Sequence, residues 1–188
     1  MLKFSDRTIL HLLLALSCIA ALSSCKEMVL SKQVKEFMGK TIVMPYSLLV
    51  IQGGNIAMKE SDKLTHPTLI VYVDENSCTS CKIGHLIEYS PLFEKAEENQ
   101  KFDIMIIFSP KEEDYNKVKK ELMLCGFGYP VYLDRKGEFI ELNGNMIPRD
   151  PRFHAFLLNT EYRSVYVGDP TQSGKLWKIF LQTLENIK

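Results

Sequence analysis

Two cysteines stand two residues apart at the point where the apolar rhythm of this chain changes from that of a strand to that of a helix. Ahead of them, Thr68-Leu69-Ile70-Val71-Tyr72-Val73 is a short, β-branched, apolar run. Pro67 bounds it on one side and Asp74-Glu75-Asn76 on the other, which predicts a buried strand. Ser77 is the predicted N-cap of a following helix, because from Cys78 onward the apolar residues fall at Ile83, Leu86 and Ile87, the spacing of one helix face. Cys78-Thr79-Ser80-Cys81 therefore occupies the hand-over from strand to helix. The first turn of a helix offers unpaired N–H groups and the positive end of the dipole, and both favour a thiolate over a thiol. Cys81 follows on the same face one turn later, near enough for a disulfide to close.

Composition sets the outer bounds. The chain has 188 residues, 46% of them hydrophobic, and a formal net charge of +0, which suits one globular domain plus a leader. Balanced charge argues against nucleic acid as a partner, and the Lys117–Lys120 cluster reads as a solvated helix face. At the start, Lys3 and Arg7 precede a nearly continuous apolar run from Ile9 to Leu22, the pattern of a secretory signal rather than of a membrane span. Leu22-Ser23-Ser24-Cys25 resembles the bacterial lipobox, as against a plain signal peptide with a chance cysteine. The resemblance implies cleavage before Cys25, lipidation of its sulfur, and a chain anchored in the cell envelope, periplasm-facing or at the outer membrane. The expected organisation is a lipoprotein signal peptide over 1–24, a tether and N-terminal extension over 25–63, and the main domain over 64–188. Beyond Cys18 in the leader and Cys25 at the lipid site, Cys78, Cys81 and Cys125 remain, a close pair and an odd thiol. That is the pattern of a redox pair rather than of a disulfide-stapled scaffold.

Along the rest of the chain, a weak helical rhythm (Leu30, Val34, Phe37, Met38) ends at Gly39, and Thr41–Met44 and Leu48–Ile51 read as short strands. The cysteine helix is expected to run to about Asn99 with a bend at Pro91. Phe102–Phe108 is a second buried strand, and Ser109-Pro110-Lys111-Glu112 has the form of a capping box. The helix it opens turns Tyr115, Val118, Leu122 and Cys125 inward and stops at Gly126. Cys125 is thus expected in the core. Tyr129–Leu133 is a short strand, Asp134–Gly137 a turn before Glu138–Leu142, and Asn143–Arg152 a loop. His154–Leu158 and Tyr162–Val167 form a hairpin, and Asp169-Pro170 caps a last helix with Leu176, Trp177, Phe180, Leu181, Leu184 and Ile187 on its inner face.

This order of elements resembles the thioredoxin-like fold, in the version used by TlpA-type membrane-anchored thiol-disulfide proteins. SCTSCKIG, YPVYLDRKGEFI and HAFLLNTEYRSVYVGDP carry the likeness. It implies an α/β fold with a central mixed β-sheet flanked by helices, preceded by an N-terminal extension. It further implies thiol-disulfide exchange with protein thiols or disulfides and no cofactor. Cys78 would be the exposed nucleophile and Cys81 the more buried cysteine that resolves the mixed disulfide. Ser77, Thr79, Ser80, Phe153 and His154 would be the neighbours of the pair.

The chain departs from the family where Ser77 replaces an aromatic residue before the first cysteine, where Asp74 stands in place of an earlier aromatic, and where Phe153 falls on the position of the cis-proline opposite the pair. The nearest proline is Pro151, so either the loop is shifted or the cis peptide is absent. Two other readings follow. In one, Cys78, Cys81, His85 and His154 bind copper or zinc, as in copper-handling thioredoxin relatives. In the other, the fold is a non-catalytic binding module and the disulfide a staple. Lys82, where a c-type haem motif needs histidine, and the lack of a second cysteine pair exclude haem attachment and a zinc ribbon.

Overall fold

In a computed structural model the chain is described over residues 31–60 and 62–187. The leader and Cys25 lie outside the described residues. The chain divides into two compact units with the boundary after Glu36. Residues 31–36 of the first are helical, and the second begins at Phe37. Among the described residues no helix is long and apolar enough to cross a membrane.

The second unit is built on β3 (Thr68–Val73), whose six residues are all buried. A strand buried on both faces needs neighbours on both edges and layers above and below. It pairs in parallel with β4 (Asp103–Phe108) and antiparallel with β6 (Ala155–Leu158). The parallel pair requires a crossover, which is supplied by α1 (Thr79–Gly84), a 3₁₀ turn at Leu86–Tyr89 and α2 (Ser90–Asn99). A second crossover through α3 (Tyr115–Leu124) brings β5 (Val131–Leu133) parallel to β4. The hairpin of β1 (Ser47–Gln52) and β2 (Asn55–Glu60) extends one edge, and β7 (Ser164–Val167) closes the other. The result is a mixed seven-stranded sheet in the order β2-β1-β5-β4-β3-β6-β7. The strands at 47–60, placed by the sequence reading within the N-terminal extension, share this sheet.

Period-two alternation divides the core between the two faces of the sheet. Leu69, Val71, Val73, Ile104 and Ile106 point to one face, against Ile83 of α1, Leu92 and Phe93 of α2, Val118 and Leu122 of α3, and Phe180 of α5 (Gly174–Asn186). Ile70, Tyr72, Ile107, Phe156 and Leu158 point to the other, against Phe37, Ile42, Ile147 and Phe139 of α4 (Glu138–Asn143). Each such burial removes apolar surface worth about 1.5–3 kcal/mol per large side chain. Trp177, expected in the inner face of α5, is partly buried against the first face.

Several local expectations change. The predicted single helix from Cys78 to Asn99 is broken after Gly84, because Pro91 has no N–H to give to the preceding turn and instead opens α2. Ser109 does not cap a helix: its side chain is buried and bonds to Asp134. The residues after it form a 3₁₀ turn, Glu112–Asp114, before α3. Ser173, not Asp169, caps α5, accepting the Leu176 N–H at 3.2 Å. Thr41–Met44 makes only an isolated bridge between Thr41 and Arg163. Tyr162 has φ of 63°, a turn conformation, so the last strand starts two residues later than expected. Gly53 and Gly54 both have positive φ and close the tight β1–β2 hairpin, which lets β2 form where no strand was expected. Cys125, expected in the core, is exposed just past the end of α3, and its thiol donates to the Leu122 carbonyl at 3.1 Å.

Candidate functional site

The C-terminal ends of β3, β4 and β5 and the entry to β6 form one edge of the sheet, and the cysteine pair follows directly from that edge. Asp74 leaves β3 and the chain turns tightly: the Ser77 N–H donates to the Asp74 carbonyl at 3.2 Å and the Ser77 hydroxyl to the Asp74 carboxylate at 2.6 Å. Ser77 is therefore committed to the turn and does not cap the helix. Cys78 itself is the N-cap residue, with φ −68° and ψ 89°, and its carbonyl accepts the first helical bond from Lys82 at 3.0 Å. Thr79 donates its hydroxyl to the Ser77 carbonyl at 3.4 Å. Cys78 and Cys81 are joined as a disulfide with Cα atoms 5.3 Å apart, inside the range such a bridge needs. Both cysteines are exposed. This corrects the expectation that Cys81 turns inward: α1 is six residues long, and its buried position is Ile83.

α3 packs beside α1, and from it Glu121 reaches the residue between the cysteines. The Ser80 hydroxyl, between the cysteines, donates to the Glu121 carboxylate at 2.8 Å. Nothing in the sequence pattern singled out Glu121, since the two residues are 41 apart along the chain.

Below the same edge lies a buried polar layer that sequence reasoning also missed. Asp134, 2% exposed at the end of β5, accepts the Ser109 hydroxyl at 3.0 Å and the N–H groups of Glu138 and Phe139 at 3.1 and 2.9 Å. It caps α4, with Gly137 in the left-handed conformation just ahead of the helix. An aspartate four residues before Glu138 was the available signal for this cap. Tyr72, buried next to this layer, has its phenol pushed up to about 12, first by burial and then by the negative charges of Asp74, Asp134 and Glu75, with a hydrogen bond to Ser109 opposing them.

The loop before β6 is tied down locally. Arg152 clasps Asp150 through two side-chain bonds of 3.0 and 2.7 Å, and this pairing pushes the Asp150 carboxyl down to about 2. Pro151–Phe153 forms a 3₁₀ turn. Phe153 thus occupies the position where the family resemblance placed a cis-proline, and among the described residues there is no cis peptide. His154 is buried, with Nε2 2.9 Å from the Pro148 carbonyl and its ring 5.4 Å from that of Tyr72. Its Nδ1 has no hydrogen-bond partner. His85 lies on the surface, Nδ1 2.6 Å from Glu88. The two histidines considered as metal ligands are therefore engaged separately, and among the described residues no three His, Cys, Asp or Glu side chains gather as a metal centre.

A cavity of about 680 Å³ opens elsewhere, at the N-terminal ends of β3 and β4, lined in part by Leu48, Thr68, Phe93, Asp103 and Tyr129. None of the cysteine-pair residues lines it.

No protein-family model matches the chain. None of the curated proteins matches it either. Solved structures do. A thioredoxin-like protein in its oxidised form superposes with a TM-score of 0.53 at 14% identity, over 81% of this chain and 99% of that one. A protein from Chlorobium tepidum assigned as thiol:disulfide interchange protein DsbE gives 0.52 at 13% identity, over 78% and 97%. A protein from Bacteroides thetaiotaomicron assigned as a protein disulfide isomerase gives 0.50 at 14%, over 80% and 89%. At such identities the likeness speaks to architecture alone. Taken with the parallel crossovers, the antiparallel β6–β7 edge and a disulfide placed just after the central strand, it gives this chain the thioredoxin-like fold.

Proposed function

We propose that this protein exchanges thiols and disulfides with other proteins through Cys78 and Cys81. The observation that carries the reading is an exposed Cys-x-x-Cys disulfide at the start of a helix that follows the central strand of a thioredoxin-like sheet. In the reduced pair, a thiolate at Cys78 attacks one sulfur of a substrate disulfide and displaces the other as a thiol. Cys81 then attacks Cys78 in the mixed disulfide, so the pair closes and the substrate leaves reduced; the reverse sequence oxidises a substrate dithiol. Solved structures assigned to thiol:disulfide interchange and disulfide isomerisation share the fold, which supports this chemistry over other uses of the motif. The N-terminal pattern, with Cys25 as the lipid site, supports placing the protein on a membrane of the cell envelope, where disulfides persist.

The test is capture. A Cys81→Ser variant is expected to accumulate mixed disulfides between Cys78 and partner proteins, identifiable by mass, and Cys78→Ser to abolish reduction of a protein disulfide such as that of insulin. An unreactive pair with a reduction potential below about −300 mV would instead favour the staple reading. The anchor has its own test: Cys25→Ala should leave an uncleaved precursor that is loosely held by the membrane or released, and unchanged retention through a high-salt wash with a normal mature mass would refute it.

A further inference from the structure

The contact between Ser80 and Glu121 bears on the reduction potential of the cysteine pair. A serine hydroxyl has one proton to donate, and here it goes to the Glu121 carboxylate at 2.8 Å. That proton is then withheld from a thiolate at Cys78 or Cys81. The carboxylate also brings a negative charge to the dipeptide between the two sulfurs, in a helix whose first turn has no acidic residue of its own. Both effects disfavour a thiolate, and so disfavour the reduced pair relative to the disulfide. We infer that Glu121 is a positioning residue that holds the potential of the Cys78–Cys81 pair more negative than the pair would have without it. This rests on the exchange activity proposed above.

When the pair reduces a substrate, atoms and electrons balance within the two disulfides. The Cys78 and Cys81 thiols give up two electrons and two protons as their S–S bond forms, and the substrate S–S bond takes them up to become two thiols. A dithiol donor must then restore the pair. Asp74, whose carboxylate accepts the Ser77 hydroxyl just ahead of Cys78, is part of the turn rather than of the helix. Lys82, next to Cys81 and one turn from Cys78, brings the opposing positive charge to the same helix, and the Glu121 variant leaves it in place.

The experiment is a redox titration of the full chain against glutathione or dithiothreitol buffers, with alkylation and mass as the readout. Glu121→Gln keeps an acceptor for Ser80 but removes the charge. It should raise the equilibrium constant for reduction of the pair by three- to tenfold, a potential about 15–30 mV less negative. The same variant should speed iodoacetamide labelling of reduced Cys78 at neutral pH. Ser80→Ala, which removes the hydroxyl and leaves the Glu121 charge, frees no donor for a thiolate and should leave the potential within twofold of the parent in equilibrium constant. Glu185→Gln, which removes an exposed carboxylate from α5, is the control for net charge and should leave the potential in place. A Glu121→Gln potential within twofold of the parent in equilibrium constant, or shifted to more negative values, overturns the inference. None of these readings needs a protein substrate. Failure of the parent to reduce insulin would therefore refute the exchange reading, while the Glu121 shift would still be measured.

Discussion

Asp134→Ala is the sharpest test of how the disulfide-bearing edge is held together. Asp134 is 2% exposed and is the common acceptor for the Ser109 hydroxyl, the Glu138 N–H and the Phe139 N–H. Alanine leaves the Ser109 and Phe139 donors buried without partners, at about 1–3 kcal/mol each. The Glu138 N–H is only partly buried and can turn to water. Relief of the desolvated carboxylate offsets part of the loss, so the net expectation is about 3 kcal/mol of destabilisation. In a domain of this size that lowers Tm by about 6–12 °C. The assay is urea unfolding followed by circular dichroism, with the midpoint falling at constant m. Asn in place of Asp keeps one oxygen for the Phe139 N–H but sets an amide against the Glu138 N–H, so it should fall between the two. A Asp134→Ala midpoint within about 0.5 kcal/mol of the parent would show that water or rearranged side chains replace these bonds, and the buried layer would lose its assigned role.

Two further outcomes are expected. Tyr72 is pushed up to about 12 from 10.0, and Tyr89 and Tyr166 are raised further, in each case first by burial and then by Asp74 or Asp169. A phenol held protonated by the fold adds stability that is whole below its unfolded value and is lost as pH rises from about 10 through the folded value, on the order of 2–3 kcal/mol for Tyr72 alone. Unfolding midpoints should therefore fall steeply above pH 10, and absorbance at alkaline pH should show these tyrosines ionising only as the chain unfolds; midpoints flat to pH 12 would refute the burial argument. Cys125 is exposed while Cys78 and Cys81 are joined, so iodoacetamide without reductant should label Cys125 in the folded chain and leave the pair untouched. Labelling of Cys125 only after denaturation would restore it to the core.

The amino-acid sequence by itself determined the centre of this protein. An unbroken β-branched run can be satisfied only by a strand buried on both faces, and a cysteine pair directly after it must lie at that strand's C-terminal edge. The second strand at Asp103–Phe108 and the hairpin at β6–β7 were legible for the same reason, because period and turn chemistry are local. What local pattern could not contain is which distant groups meet. The β1–β2 hairpin joins the sheet only because β5 offers it an edge, and its outer strand is exposed along its length, so no apolar alternation announces it. Cys125 sits at inward helical spacing, yet α3 ends at Leu124 and the thiol falls beyond the packed turns. The exposure of Cys81, the Glu121 carboxylate on Ser80 and the Asp134 layer beneath the edge arise from how α1, α3 and α4 pack on the sheet. Those contacts join residues far apart in the chain, through side-chain bonds that leave no periodic trace, and only the tertiary structure decides them.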